Sequence, residues 1–162
     1  MSARILYAQF SSASHHAAAD WLRAVRDLSG GASGTPMFWT SQKELSRMAP
    51  AVSWRLVSEN RREISRGSIL FADESEVRAD IAQLLRRARE LEVHTSPAPR
   101  LRSTGWFVSH GSELVMIGAR RYEKRSTAES AAALAVRRLI ELADAGEFGS
   151  GLTDPSPPVI HA

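Results

Sequence analysis

The sequence predicts an α+β fold in which tandem ββ(β)α repeats form a mostly antiparallel sheet with helices on one face, plus an N-terminal βα fragment. Three observations predict this fold. Two long segments of the chain are similar to each other, both contain short strand patterns separated by polar turns, and both end in an amphipathic helix pattern. A chain of 162 residues with 43% hydrophobic content can bury a modest core of this kind.

The two similar segments are residues 53–91 and 105–143, which align when one deleted residue is allowed near the first strand. The matched positions are Trp54 with Trp106, Ser58 with Ser109, Gly67 with Gly118, Phe71 with Tyr122, and Ser75 with Ser126. Both tryptophans begin a strand pattern, so we expect them to pack in the core. Both glycines interrupt a strand at the same point, as expected for a bulge or a tight bend.

Strands are predicted from the alternation of apolar and polar residues between turn signals. They span residues 54–57, 63–66 and, as a short third strand, 69–72 in the first copy, and 106–109, 113–117 and 120–123 in the second. The segment "SHGSE", residues 109–113, is interpreted as a hairpin turn, because neighbouring residues in a turn cannot adopt the geometry of a catalytic triad. "HTSPAPRLRS" is interpreted as the linker between the copies.

Each copy ends in a helix pattern with one apolar stripe. The first stripe consists of Val77, Ile81, Leu84, Ala88 and Leu91, and the second of Ala128, Ala132, Ala135, Leu139 and Leu142. Asp73 or Ser75 is expected to cap the first helix. Ser126 and Glu129 have the spacing of a capping box at the start of the second.

The N-terminal segment "ILYAQFSSASHHAAADWLRAVRDL" aligns with the end of the first copy and supplies one strand and one helix. We expect its strand to join the sheet of the full repeats. The expected organisation is a partial βα repeat at 1–30, a linker with a short helix at 31–52, a first full repeat at 53–94, a linker at 95–104, a second full repeat at 105–144, and a flexible tail at 145–162.

The repeat resembles the YegP-like family, a domain of unknown function that is often found in tandem. The resemblance rests on the run W-x-L-x-x-x-N-x-x-x-I from Trp54 to Ile64, followed by a glycine, an aromatic residue and a Ser-capped helix. It covers roughly half of the chain and implies strand-rich units that share one sheet, and a homodimer. The family's Asn-Gly turn survives only in halves, as Asn60 and Gly111. The family brings no established activity, so no site residue is carried over.

The amino-acid composition excludes several classes of functional site. The chain has no cysteine, which excludes disulfides, thiolate nucleophiles and Cys-based metal sites. It has no apolar run long enough to span a bilayer and no signal-peptide pattern, so we expect a cytoplasmic protein without membrane contact. The adjacent His15 and His16 lack the i, i+4 spacing of a metal-binding pair, and no Gly-rich phosphate loop is present. We therefore assign no catalytic, metal or cofactor residues.

Basic residues form the candidate site. The formal net charge is +3, and the segment "GARRYEKRSTAES" concentrates positive charge before the second helix. Possible contacts for a nucleic acid or an acidic protein partner are Arg61, Arg62, Arg66, Arg120, Arg121, Lys124 and Arg125. The alternative is a solvated basic face, which Glu129 favours because its charge would repel a phosphate. Arg86-Arg87 and Arg137-Arg138 recur at one helical position and leave the same two interpretations open.

The leading prediction is a non-enzymatic interaction or binding module that self-associates, because a repeated scaffold is present without a spaced catalytic set. The first alternative is a nucleic-acid-binding protein that uses the arginine-bearing hairpins. A small enzyme is the third option, and it would require a concave site with convergent titratable groups. If a pocket exists, we expect it between the repeats.

Overall fold

The computed structural model describes residues 3–29 and 49–146. Within them the chain forms, in order, β1 (Ala3–Phe10), α1 (His16–Ser29), β2 (Ala51–Ser58), β3 (Glu63–Gly67), α2 (Glu74–Arg86), β4 (Glu92–Ala98), β5 (Ser103–His110), β6 (Glu113–Gly118) and α3 (Arg125–Ala145). Single turns of 3-10 helix, Ala88–Glu90 and Pro99–Leu101, flank β4. Two predicted features, the short helix of the 31–52 linker and the tail beyond Gly146, lie outside the described residues.

The strands form a six-stranded sheet in the order β1-β2-β3-β6-β5-β4, and every neighbouring pair is antiparallel. The predicted α+β class is therefore confirmed. The N-terminal strand joins the sheet as expected, because β1 pairs with β2 along its whole length and places Tyr7 opposite Trp54. The third strands predicted near Phe71 and Tyr122 are reduced to single bridges, Val52 with Phe71 and Thr104 with Tyr122.

The hairpins β2–β3 and β5–β6 have the same strand register. Leu56 lies opposite Ser65 in the first and Val108 lies opposite Met116 in the second, and a bulge follows each of these pairs. The hairpins differ in their turns. Ser58 donates its backbone N–H to the carbonyl of Arg62 at 2.9 Å across a longer loop, whereas His110 pairs directly with Glu113. The one-residue deletion therefore lies in the turn and not near the first strand, so Ser58 corresponds to His110 and its predicted match with Ser109 is wrong. That the halves are copies of one unit stays a prediction.

The helices cover both faces of the sheet. In β5, Trp106 and Val108 pack with the buried stripes of α2 and α3, while Phe107, which lies between them, packs with α1. Successive side chains of a strand point to opposite faces, so α2 and α3 lie on one face and α1 lies on the other. The prediction that the helices lie on one face is therefore wrong for α1, whose apolar stripe packs against Phe107 and Leu114 on the opposite face.

The helix α1 is anchored by Trp21 through both polar and aromatic contacts. Its indole N–H donates to the carbonyl of Gly67 at 2.8 Å, and its ring meets Phe10 edge-on with centroids 5.6 Å apart. The guanidinium of Arg66 lies over the same ring, 4.6 Å from its centroid. Arg66 is half-buried, and its guanidinium group contacts α1 through the ring of Trp21.

The predicted linker 95–104 is wrong for most of its length. Residues 95–98 belong to β4, which pairs with β5 from Glu92 opposite Ser109 to Ala98 opposite Ser103. β4 is the last strand in the sheet, and an edge strand tolerates Pro97 because one side of its backbone has no ladder partner. Serine, threonine and proline therefore indicated a loop where the chain forms an edge strand.

Only one of the two predicted helix caps is confirmed. Asp73 caps α2, because its carboxylate accepts a hydrogen bond from the backbone N–H of Glu76 at 2.9 Å. The capping box at Ser126 is wrong. α3 begins at Arg125 with Lys124 at the cap position, two residues before Ser126, and no side-chain hydrogen bond forms there. Glu129 instead forms an ion pair with Arg125 at 2.9 Å.

Candidate ligand-binding groove

Trp54 packs against Gly67, and Trp106 packs against Gly118. These are the two glycines that the sequence alignment matched. A β-carbon added to Gly67 would lie 2.7 Å from Nε1 of Trp54, and one added to Gly118 would lie 2.5 Å from Nε1 of Trp106. Both tryptophans are 1% exposed. Each indole therefore crosses the neighbouring strand where that strand has no side chain, and this close approach explains the glycines better than a backbone bend does.

The two indole N–H groups have different surroundings. Nε1 of Trp54 donates to Oδ2 of Asp80 on α2 at 3.1 Å. Nε1 of Trp106 is buried and has no hydrogen-bond partner among the described residues. In the aligned stripes Ile81 matches Ala132, so Asp80 matches Ala131, which has no acceptor. A buried donor without a partner is uncommon, because no hydrogen bond offsets the free energy that the N–H group loses when it leaves water.

A groove between α2 and the β5–β6 hairpin is nearly filled, and we call it the closed groove. It retains about 10 Å³, roughly the room for one water molecule. Arg87 of α2 reaches Glu113 of β6 at 3.4 Å and holds the two walls together. The residues that line it are Asp80, Gln83, Leu84, Arg87, Leu91, His110, Glu113 and Val115.

Asp80 sits at the inner end of the closed groove in a poorly solvated place. Burial raises the pKa of its carboxyl above the ordinary value, and the hydrogen bond from Trp54 works in the opposite direction. The group is thus a structural acceptor for the indole. It has no second carboxylate or histidine within hydrogen-bond distance that would make it part of an acid–base pair among the described residues.

The matching groove between α3 and the β2–β3 hairpin is wide, and we call it the open groove. Its volume is about 740 Å³. Apolar atoms come from Ala3, Ile64, Tyr122, Ala131 and Leu134, and polar groups around it come from Ser58, Glu59, Asn60, Arg62, Glu63, Arg120 and Arg138. Leu134 is 37% exposed, which is high for a leucine on a helix that faces a sheet.

Four side-chain differences distinguish the grooves. Where the closed groove has Asp80 and Gln83, the open groove has Ala131 and Leu134, so hydrogen-bonding groups are replaced by apolar ones. Where the closed groove has Glu113, the aligned hairpin residue is Arg62, which cannot pair with the arginine of the facing helix. Val115 is replaced by the longer Ile64. The contact between Arg87 and Glu113 therefore cannot be repeated between Arg138 and Arg62.

The structure separates the seven basic residues proposed from the sequence. Arg62 and Arg120 are brought together because both line the open groove. Arg61 is exposed in the β2–β3 turn, and Lys124 and Arg125 are exposed at the start of α3.

The other two basic residues are half-buried. Arg66 pairs with Glu63 at 2.7 Å and lies over Trp21. Arg121 buries its Nη1 atom beside Gly105, on the α1 side of the sheet. These seven residues consequently do not form one continuous surface.

Other polar pairs of the described residues do not build a catalytic set. His94 stacks on Phe107 with centroids 4.9 Å apart and shares a hydrogen bond with Ser109 at 2.8 Å. His110 meets Glu90 at 2.9 Å on the surface. The "SHGSE" segment forms the predicted turn, with Gly111 at φ +59°. Over residues 3–29 and 49–146, no three His, Asp or Glu side chains are grouped as metal ligands.

No family model, curated protein or solved structure matches the chain. The resemblance to the YegP-like family therefore stays a prediction. In the part of the chain that the structure describes, no helix is both long and apolar enough to cross a bilayer.

Proposed function

We propose that the protein is a non-enzymatic binding module and that its ligand occupies the open groove. The observation that carries the proposal is the contrast between two matching grooves. One is filled to about 10 Å³ by polar side chains and an ion pair, whereas the other keeps about 740 Å³. The same scaffold can close this space, so the open groove is a consequence of the residues at a few positions.

The size and the chemistry of the open groove support a small-molecule ligand. Binding sites for such ligands typically measure roughly 300–1,000 Å³ and combine an apolar lining with a few placed polar groups. Leu134, Ile64 and Tyr122 supply the apolar part, and Arg62 and Arg120 supply donors at the rim. A ligand that covers Leu134 would remove its exposed apolar surface from water.

A fragment screen by ligand-observed NMR tests this function, with a pair of matched double variants. Ala131→Asp with Leu134→Gln gives the open groove two residues of the closed groove. Asp80→Ala with Gln83→Leu makes the reverse exchange and serves as the control. We expect fragments that bind the wild type and the control to lose at least tenfold in affinity for the first variant. Fragments that bind all three proteins equally, or a library without any binder, would contradict the proposal.

Self-association and the nucleic-acid alternative stay predictions about partners. Light scattering over a dilution series tests the homodimer, and a monomer at every concentration would exclude it. RNA and DNA probes at low salt test the alternative, in which affinity falls steeply as salt rises and is lost when Arg120, Arg121, Lys124 and Arg125 are changed to Gln. The same series with an acidic peptide tests the acidic-partner prediction.

A further inference from the structure

The turn between β4 and β5 and the loop between β6 and α3 form a basic surface that carries one exposed leucine. We call these two segments, residues 99–104 and 119–125, the basic end of the sheet. We propose that the basic end binds the surface of a membrane that contains anionic lipids, with Leu101 inserted among the headgroups. This inference goes beyond the proposed function, because it needs no ligand in the open groove.

A backbone bridge brings the two segments of the basic end together. Thr104 donates its N–H to the carbonyl of Tyr122 at 2.7 Å, and Tyr122 donates to the carbonyl of Thr104 at 2.9 Å. Arg102 lies two residues before Thr104. Arg120 lies two residues before Tyr122, and Lys124 lies two residues after it. Two extended residues span about 7 Å, so these cations share one end of the sheet although they are distant in the sequence.

The positive charge of the chain is concentrated at the basic end. Its two segments carry one acidic residue, Glu123, and six cations, namely Arg100, Arg102, Arg120, Arg121, Lys124 and Arg125. Six cations and one glutamate give a net charge of +5, whereas the whole chain has +3. Arg121 is half-buried, and the other five cations are exposed. Of these five, only Arg125 forms an ion pair with a described residue, Glu129. The other four can therefore attract an anionic surface.

Leu101 is the most exposed large apolar side chain of the described residues, with 67% of its surface in water. It ends the turn of 3-10 helix Pro99–Leu101 and lies between two exposed arginines, Arg100 and Arg102. Arg102 has a left-handed backbone, φ +48°, and its N–H donates to the carbonyl of Pro99 at 3.2 Å. A leucine held in this way can enter the headgroup region of a bilayer while the two arginines contact lipid phosphates.

A membrane surface uses both features of the basic end, whereas a nucleic acid uses one. Phosphates of a nucleic acid would contact the cations but would leave Leu101 in water. Its bases stack on exposed aromatic side chains, and Tyr122, the aromatic residue of the basic end, is half-buried against the core. A bilayer has apolar acyl chains beneath an anionic surface, so it can cover the leucine and attract the cations at the same time.

The sequence predicted no membrane contact because it has no apolar run that could span a bilayer. Peripheral binding needs no spanning segment, since its strength comes from buried apolar area and from attraction to anionic lipids. The pattern could not be recognised in the sequence, because only the bridge between Thr104 and Tyr122 brings its two segments together.

Vesicle sedimentation measures the proposed binding. The full chain is mixed with vesicles of phosphatidylcholine alone, or of phosphatidylcholine with about one-third phosphatidylserine. We expect binding to the anionic vesicles only, with an affinity that falls at least tenfold when salt is raised from about 50 mM to about 500 mM, because ions screen the attraction.

Two double variants locate the binding surface. Arg100→Gln with Lys124→Gln should weaken vesicle binding at least tenfold, since each cation near an anionic membrane contributes roughly fivefold. Arg86→Gln with Arg137→Gln is the matched control, because it removes the same charge from exposed positions on α2 and α3. We expect this control to change the affinity less than threefold.

Leu101 has its own test. The chain has no cysteine, so Leu101→Cys gives a single site for an environment-sensitive dye. We expect the dye emission to shift to the blue when anionic vesicles are added, because the dye enters an apolar environment. The same dye on Ser112→Cys, in the β5–β6 turn at the other end of the sheet, should not respond. Leu101→Ser without dye should weaken vesicle binding at least threefold.

Four results would overturn the inference. The first is no binding to the anionic vesicles at low salt. The second is an equal loss of affinity in the two double variants, which would show that binding follows net charge and not the basic end. The third is a dye at position 101 that stays in water while the protein is bound. The fourth is tighter binding of an RNA duplex or a polyglutamate peptide through Arg100 and Lys124, which would assign the basic end to that partner. The proposed function keeps its own test, the fragments in the open groove.

Discussion

Nε1 of Trp54 donates a hydrogen bond to Oδ2 of Asp80 at 3.1 Å, and the residues that align with this pair are Trp106 and Ala131. This hydrogen bond connects a buried tryptophan of the core to a residue that lines a groove at the surface. Asp80 is one of the side chains that fill the closed groove, so the residue that satisfies a buried donor also removes the space for a ligand. The aligned Ala131 has no carboxylate, Nε1 of Trp106 has no partner among the described residues, and Ala131 lines the open groove.

The elevated pKa of Asp80 predicts how stability depends on pH. Burial raises the pKa of this carboxyl in the folded protein above its value in the unfolded chain. The folded state therefore binds the proton more tightly, and stability falls as the pH rises from about 4 through the folded pKa. Asp80→Asn keeps an acceptor for Trp54 but cannot ionise. We expect it to gain stability relative to the wild type between pH 4 and pH 7, measured by urea denaturation.

Asp144→Asn is the control of opposite sign. The hydrogen bond from Arg89 lowers the pKa of Asp144, so the wild-type residue stabilises the fold above the unfolded pKa, and this contribution is lost as the pH falls. The variant should lose a little stability relative to the wild type as the pH rises from about 2 to about 5, and the difference should stay constant above that. If Asp80→Asn shows this same trend, the Asp80 carboxylate is stabilised by folding and our account of the closed groove is wrong.

The contact between Trp106 and Gly118 predicts a large packing effect. A β-carbon at position 118 would lie 2.4 Å from Cε2 of the indole, so Gly118→Ala should destabilise the protein by about 1–3 kcal/mol. Trp106→Phe removes the part of the indole that collides. In a double-mutant cycle we expect a coupling of roughly 1 kcal/mol between the two changes. Chemical denaturation of the four proteins provides the measurement.

Gly111→Ala separates the collision from the general cost of replacing a glycine. Nothing lies within 4 Å of a β-carbon there, but the backbone has φ +59°. The substitution should cost about 1 kcal/mol through backbone strain alone, and Trp106→Phe should leave that cost unchanged. Equal coupling of Trp106→Phe to both alanine variants would argue against the specific contact.

The start of α3 predicts a stabilising substitution. Lys124 has the extended backbone of a cap residue, φ −105° and ψ 135°, but its side chain cannot accept a hydrogen bond. Asp73 supplies this acceptor at the start of α2. Lys124→Asp should raise the free energy of unfolding by about 0.5–1 kcal/mol, since it caps the helix and places a negative charge at its N-terminus. Lys124→Ala removes only the positive charge and should gain less; equal gains would show that no cap forms.

Much of the fold could be predicted from the sequence because local patterns determine it. The strand positions, the helix stripes and the pairing of the N-terminal strand follow from alternation and helical periodicity, and they are confirmed around Trp54, Ile81 and Ala132. β4 was not predicted, because its residues are largely polar and include Pro97, which only a strand at the edge of the sheet tolerates. The face on which α1 packs depends on the path of the chain between α1 and β2, which periodicity does not encode.

The groove was harder to predict than the fold. The alignment already placed Asp80 over Ala131 and Gln83 over Leu134, so the differences were visible in the sequence. Their effect on the grooves was not visible, because each groove is formed by the helix of one half and the hairpin of the other. Only the packing of α3 against the β2–β3 hairpin shows that Leu134 faces a cavity. Of the seven basic residues predicted from the sequence, Arg62 and Arg120 line the open groove.

We expect the ligand to bind in the open groove and not in the closed one. The most direct test is a map of amide and methyl chemical-shift changes on the assigned protein as the tightest-binding fragment is added. We predict that the changes are centred on Ile64, Tyr122 and Leu134, and that Gln83 and Val115 of the closed groove stay unaffected. Changes centred on the closed groove, or spread over the surface without a centre, would contradict the claim.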